Sequence, residues 1–301
     1  MKKIIDMHTH MFPEDIINNW DKYARRDYYF RLLTDPEKSF IQRYATAEEA
    51  IELADQAGVH KIVMQGWYWN DHELCKYHND YMYELISKYP DRFEAYIAIN
   101  PKFGELAIEE LERNYNRGFV GLGELGPGAN NFTLDDSDFL TLMEAADHYK
   151  LPVNIHCNQT IGRDYPGKDS TPMEGFYELA KKFPDLVLIL AHLGCGLPFY
   201  ELMPEVKYVF KNVYYDLAAN PLVYETRSIK TVVDIVGAEK LLFGSDFPLI
   251  IYPRKSKEKE FKLFIEDIRE NAGLNEDQWN KIMYENGEKM ISRGKKRIMG
   301  Y

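Results

Sequence analysis

The sequence predicts an α/β protein, a (β/α)8 TIM barrel with a long insertion after its first strand and helices closing its C-terminal end. Two observations carry this. Eight short apolar runs alternate with amphipathic stretches along the 301 residues, the pattern of parallel strands joined through helices. Eight is also the strand number that closes such a barrel. An open doubly wound sheet is the alternative, but no Gly-x-Gly-x-x-Gly follows the first run to support nucleotide binding.

The strand candidates are residues 3–8 (KIIDMH), 61–66 (KIVMQG), 93–99 (FEAYIAI), 119–125 (FVGLGEL), 152–157 (PVNIHC), 186–192 (LVLILAH), 213–218 (VYYDLA) and 240–246 (KLLFGSD). Helical patterns fall between them at residues 46–58, 79–90, 105–118, 137–150 and 175–184. In the first of these, Thr46 stands as an N-cap, Glu48 and Glu49 lie in the first turn, and Gly58 ends the pattern. Residues 258–294 read as two closing helices. Without a repeat, low-complexity tract or linker, the expectation is one domain over residues 1–301. Residues 12–44 form an unusually long connection rich in aromatics and arginines, among them Trp20, Tyr29, Phe30, Arg25, Arg26 and Arg31. On a barrel such a connection lies over the functional face. The same aromatics also suit a packed lid.

A hydrophobic content of 45% provides ample core, and a net charge of −11 argues against a nucleic-acid partner. The basic stretch 292–301 reads as a solvated helix end. No apolar run approaches a membrane span, and the N-terminus enters a strand without a signal-peptide core. Cys75, Cys157 and Cys195 are widely spaced and make no disulfide or zinc-ribbon pattern. A cytoplasmic protein acting on a small molecule is expected.

Polar residues recur where the strands end. Asp6, His8 and His10 alternate in the first run, so all three face one way if the strand is regular. His156 stands next to last in the fifth run, and His192 and Asp246 end the sixth and eighth. In a barrel these ends converge on one rim. His8, His10, His156 and Asp246 then supply three nitrogens and one carboxylate, a donor set for Zn²⁺ or a similar divalent ion.

The motifs IDMHTH, KYPDRFEAYIAINP, LPVNIH, FPDLVLILAHLG and LLFGSDFP, in this order, cover nearly the whole chain. They resemble the amidohydrolase superfamily, and within it the amidohydrolase-related group that includes aminocarboxymuconate-semialdehyde decarboxylase. The resemblance implies a metal-bearing barrel in which His8, His10, His156 and Asp246 bind the ion and His192 is catalytic beside it. It implies that Asp6 is a structural acid beneath the two histidines. Members of the group are often homodimers. Glu124, in VGLGELGPG, has two readings. It is a metal ligand, as in the related TatD-type deoxyribonucleases, which would admit a second ion, or a carboxylate that orients a histidine.

Arg163, Arg25, Arg26 and Arg31 are candidates to clamp a substrate carboxylate, and Trp67 and Trp69 to line the pocket. Cys157 is expected to be buried and inert. His60, His72, His78 and His148 are expected at the surface. The leading expectation is a hydrolase of a small ester, lactone or amide, with one zinc ion or two, and His192 or Asp246 as general base. The alternative is a metal-dependent, non-oxidative decarboxylase of a small aromatic or unsaturated acid. A catalytically dead scaffold would have no reason to keep the buried histidines.

Overall fold

The computed structural model describes residues 3–169 and 171–295; residues 296–301 of the basic stretch lie outside the described residues. Eight parallel strands pair in chain order: β1 (Ile4–Thr9), β2 (Val59–Met64), β3 (Phe93–Ile97), β4 (Gly121–Leu125), β5 (Val153–Ile155), β6 (Leu188–Leu190), β7 (Val213–Asp216) and β8 (Leu241–Leu242). The segment after β8 returns to β1. Met7 donates its N–H to Phe243 O, Asp246 to His8 O and His10 to Phe247 O, at 2.7–2.9 Å. The sheet is thereby drawn into the expected (β/α)8 barrel.

Most strands stop short of the expected runs, with a physical cause at the rim. His192 and Asp246 take left-handed backbone conformations (φ 57° and 67°), which cannot continue a ladder. β5 ends directly before His156, and β6 ends two residues before His192.

Ile5, Met7, Val63, Tyr96, Ile189, Tyr214 and Leu242 fill the barrel's inner layer, drawn from strands around the sheet. Strict alternation in β1 does not hold. Ile5 and Met7 pack inward, and a register shift falls between Asp6 and Thr9. Asp6 turns instead to the backbone, and its Oδ1 accepts the N–H of His8 (3.0 Å) and of Ser245 (3.1 Å).

The crossover helices α4 (Ala47–Ala57), α5 (His72–Lys88), α6 (Glu105–Tyr115), α7 (Ser137–Tyr149) and α8 (Met173–Lys182) begin with side-chain caps at Thr46, Asp71 and Asp136, for α4, α5 and α7. Residues 12–44 are mostly helical: α1 (Glu14–Asn18), α2 (Trp20–Ala24) and α3 (Tyr28–Thr34). Their Phe12, Ile16, Tyr23 and Phe30 pack with Trp67, Tyr68 and Trp69 into a separate apolar cluster. Tyr29 hydroxyl donates to Gly167 O (3.0 Å), tying this lid to the loop after β5. Residues 262–271 and 276–295 supply the closing helices, the second broken by a π-helical turn at Lys281–Glu285. Among the described residues no helix is long and apolar enough to cross a membrane.

Candidate metal centre

Six donors meet at the C-terminal rim, in two groups. His8, His10 and Asp246 form one; Glu124, His156 and His192 form the other, with the donor atoms of each group within 4.8 Å of one another. His8 Nε2 lies 3.2 Å from His10 Nε2, which lies 3.6 Å from Asp246 Oδ1. His156 Nδ1 lies 2.8 Å from Glu124 Oε1 and 3.1 Å from His192 Nε2.

The outer nitrogens decide which way the rings present their lone pairs. His8 Nδ1 faces Asp216 Oδ2 at 2.8 Å, and His192 Nδ1 faces Ala218 O at 2.8 Å. A carboxylate and a carbonyl accept and cannot donate, so both Nδ1 atoms carry a hydrogen and both Nε2 atoms face inward. Asp216 also accepts the N–H of His192 (3.0 Å) and the amide of Asn154 (3.0 Å). One buried carboxylate thus joins β1, β5 and β7.

Glu124 lies between the groups. Its Oε2 is 3.4 Å from His8 Nε2 and 3.5 Å from His10 Nε2, while its Oε1 serves His156. Tyr68 hydroxyl donates to Oε2. Gly123 makes this approach feasible. It holds φ 119°, and a Cβ there would meet Asn154 O at 2.3 Å. Gly244 does the same for His8, whose Cβ would be 2.7 Å from an added methyl.

The electrostatics of this cluster call for positive charge. Burial opposes charging His8, yet the carboxylates of Asp216 and Glu124 hold it protonated well above the ordinary histidine range. Burial likewise opposes charge on His192, but Glu124 raises it to about 9. Burial would raise Glu124, yet His8 and His156 hold it well below the usual carboxylate range. Protons and a divalent cation compete for such nitrogens. Among the described residues, His10 Nδ1 is buried without a hydrogen-bond partner. Converging imidazole lone pairs with two carboxylates fit a divalent metal by donor chemistry.

The structure brings all six rim residues named from sequence together, but not in the expected set. His156 sits with Glu124 and His192 rather than completing a foursome with His8, His10 and Asp246. Arg25 and Arg163 are exposed, and among the described residues neither guanidinium pairs with a carboxylate. Arg26 pairs with Asp71 (2.6 Å), and Arg31 stacks over Tyr28. Trp67 is buried with its ring edge-on to His10, centroids 5.5 Å apart. Trp69 is fully buried and donates to His78 Nδ1 (3.0 Å). That bond corrects the surface assignment of His78, which is buried on α5 beside Leu74, Cys75 and Met82. His148 is exposed, and His60 and His72 are half-buried. Cys157 is buried as expected. Asp216 and Tyr68 were missed. Asp216 is the last residue of β7, inside the run VYYDLA, and Tyr68 stands between two tryptophans that were noted.

The family described as Amidohydrolase matches residues 5–293. The 2-amino-3-carboxymuconate-6-semialdehyde decarboxylase of Dictyostelium discoideum is 25% identical, with 81% of each chain aligned. The gamma-resorcylate decarboxylase of Polaromonas sp. strain JS666 is 25% identical over 58% of this chain and 66% of that protein. Among solved structures, dihydroxybenzoic acid decarboxylase from Polaromonas sp. JS666, with bound manganese and 2-nitroresorcinol, superimposes with a TM-score of 0.68 at 18% identity. That alignment covers 100% of this chain and 99% of the other. These relatives overturn the expectation of a hydrolase of esters, lactones or amides, because both curated relatives described above are decarboxylases. With the family's pattern matching nearly from end to end and the six donors gathered where its barrel rim should be, the chain belongs to the amidohydrolase family.

Proposed function

We propose that this protein is a divalent-metal-dependent, non-oxidative decarboxylase of a small aromatic or unsaturated carboxylic acid. The observation that carries the reading is the similarity to a decarboxylase over 81% of both chains. The rim geometry supports it: a buried donor cluster opens towards solvent chiefly through His156 and Asp246, whose side chains are 20% and 12% exposed.

In this reading His8, His10 and Asp246 would hold the cation, with Glu124 Oε2 facing the same two imidazoles. When bound, the ion supplies a fixed positive charge that orients an anionic substrate oxygen. Imidazole and carboxylate donors suit Zn²⁺ and Mn²⁺ alike, and manganese is the ion in the Polaromonas structure.

The chain's own residues handle the proton. His192 is fixed through Nδ1 to Ala218 O, so its mobile proton sits on Nε2, beside His156 and Glu124. His192 Nε2–H delivers this proton to the carbon that bears the carboxylate. The carbon–carboxylate bond then breaks, its electron pair stays with the carbon, and CO₂ leaves. Water returns the proton to His192, so acid anion plus one proton gives the shortened product and CO₂. Trp67, Tyr68 and Phe12 form a buried apolar wall beside His10 that keeps bulk water from this side. The three free, buried cysteines suit a reducing compartment such as the cytoplasm.

The test is CO₂ release from a panel of hydroxybenzoates and unsaturated dicarboxylates, using protein stripped by chelation and reloaded with Mn²⁺ or Zn²⁺. Release that depends on the metal supports the reading. Consumption of none of these acids by the reloaded protein, alongside turnover of another substrate class, would overturn it.

A further inference from the structure

The row of side chains that supplies His156 has one more inward member, and its donor lacks a partner. Along residues 153–157 the chain alternates, and Val153, Ile155 and Cys157 pack into the outer apolar core. Asn154 and His156 point the other way, to Asp216 and Glu124. Alternation puts Asn158 next on that inward side, no more than about 7 Å along the chain beyond His156. It is 7% exposed. The Cys195 thiol pins the backbone just before it by donating to Cys157 O at 3.0 Å.

Tyr165 decides which end of the Asn158 amide is free. Burial, with Cys195 and Asp169 close by, pushes the Tyr165 hydroxyl up, so it keeps its proton. It donates that proton to Asn158 Oδ1. Asn158 Nδ2 keeps both its hydrogens and, among the described residues, has no hydrogen-bond partner. A buried amide donor without an acceptor is costly and uncommon in folded proteins. An oxygen on a molecule held at the rim would satisfy it. This corner already carries negative charge, because burial and the Asp169 carboxylate together raise Tyr29 as well. A neutral amide close to a carboxylate suits an uncharged oxygen and disfavours a second anionic group.

We propose that Asn158 Nδ2 selects the substrate by donating to an uncharged hydroxyl or ether oxygen, on the side of the molecule away from the end held at His8 and His10. The inference rests on the decarboxylase reading and narrows it. The acid carries one carboxylate and one oxygen substituent, and a dicarboxylate fits poorly.

Nitroarenes separate binding from chemistry, because a nitro group has the shape of a carboxylate and releases no CO₂. Mn²⁺-loaded full-length protein is titrated by calorimetry with nitrobenzene and with nitrophenols carrying the hydroxyl at each ring position, on the acid side of their ionisation. Wild type should bind one nitrophenol at least about tenfold tighter than nitrobenzene, the scale of giving a buried donor its acceptor. Asn158→Ala should bring that ratio to within about twofold while the Kd of nitrobenzene hardly moves, the coupling expected of a direct contact. Asn158→Leu keeps the side chain's volume and should behave alike, and melting temperatures show which variants are folded. CO₂ release from hydroxybenzoates and from benzenedicarboxylates is compared in parallel. A ratio that survives in either folded variant, the absence of any ratio in wild type, or faster release from a dicarboxylate would overturn the inference. A ratio that depends on Asn158, in a protein that releases CO₂ from no acid, would keep the donor and overturn the decarboxylase reading instead.

Discussion

Asp216 accepts the Nδ1–H of His8 at 2.8 Å, and through its other oxygen it accepts the backbone N–H of His192. A carboxylate outside both donor groups therefore sets the ring orientation in one and the backbone position in the other. Removing its charge should loosen cation binding without removing a ligand. Asp216→Asn is expected to weaken Mn²⁺ binding by about 10–100-fold, the usual cost of losing such a partner. Competition against a fluorescent chelator measures this directly. Unchanged affinity would show that His8 does not depend on Asp216.

His192 should separate binding from turnover. His192→Asn keeps the amide near Ala218 but cannot carry the proton. The variant should retain the ion held by His8, His10 and Asp246 while kcat falls by about 10²–10⁴-fold. Near-normal kcat on the true substrate would remove His192 from the proton path.

Gly123 is needed by conformation and by space. An alanine there would have to adopt φ 119° and place its methyl 2.3 Å from Asn154 O. Gly123→Ala should lower stability by about 1–3 kcal/mol and displace Glu124, so that metal affinity falls as well. Urea unfolding and metal titration read the two effects. A variant as stable as the parent would mean that the turn relaxes freely.

His78 predicts an acid limb in the stability profile. Complete burial holds it down to about 4, against 6.5 for a free histidine, even though Met11 O accepts from its ring. Between these values the unfolded chain binds a proton that the folded chain refuses. Stability is therefore full above about pH 6.5 and falls as the pH drops towards 4, by up to roughly 3 kcal/mol. His78→Gln should be less stable at pH 7 but lose less across this window. Equal slopes for the two proteins would contradict the assignment.

The barrel was legible because strand and helix periodicities alternate throughout, and the donors because strand ends place ionisable groups on one rim. Asp216 was harder to see: its role depends on His8 of β1, Asn154 of β5 and His192 after β6, which no local pattern encodes. His78 was legible in principle. It shares a helical face with Leu74, Cys75 and Met82, a spacing that predicts burial. The partition of His156 away from His8 and His10 depends on where Glu124 sits between them, a three-dimensional fact. Arg25 and Arg163 looked like substrate clamps by composition, but exposure on the loops places them at the surface. Arg25→Ala and Arg163→Ala should each leave kcat/KM within about twofold, as surface changes usually do, and steady-state kinetics on the true substrate check this.

Decarboxylation at the metal cluster is tested most directly with a hydroxybenzoate carrying ¹³C in its carboxyl group, followed by membrane-inlet mass spectrometry. The Mn²⁺-loaded protein should release ¹³CO₂ in step with loss of the acid, chelated protein should release none, and His8→Ala should resemble the chelated protein. Release of ¹³CO₂ that survives both chelation and His8→Ala would contradict a reaction housed among these residues.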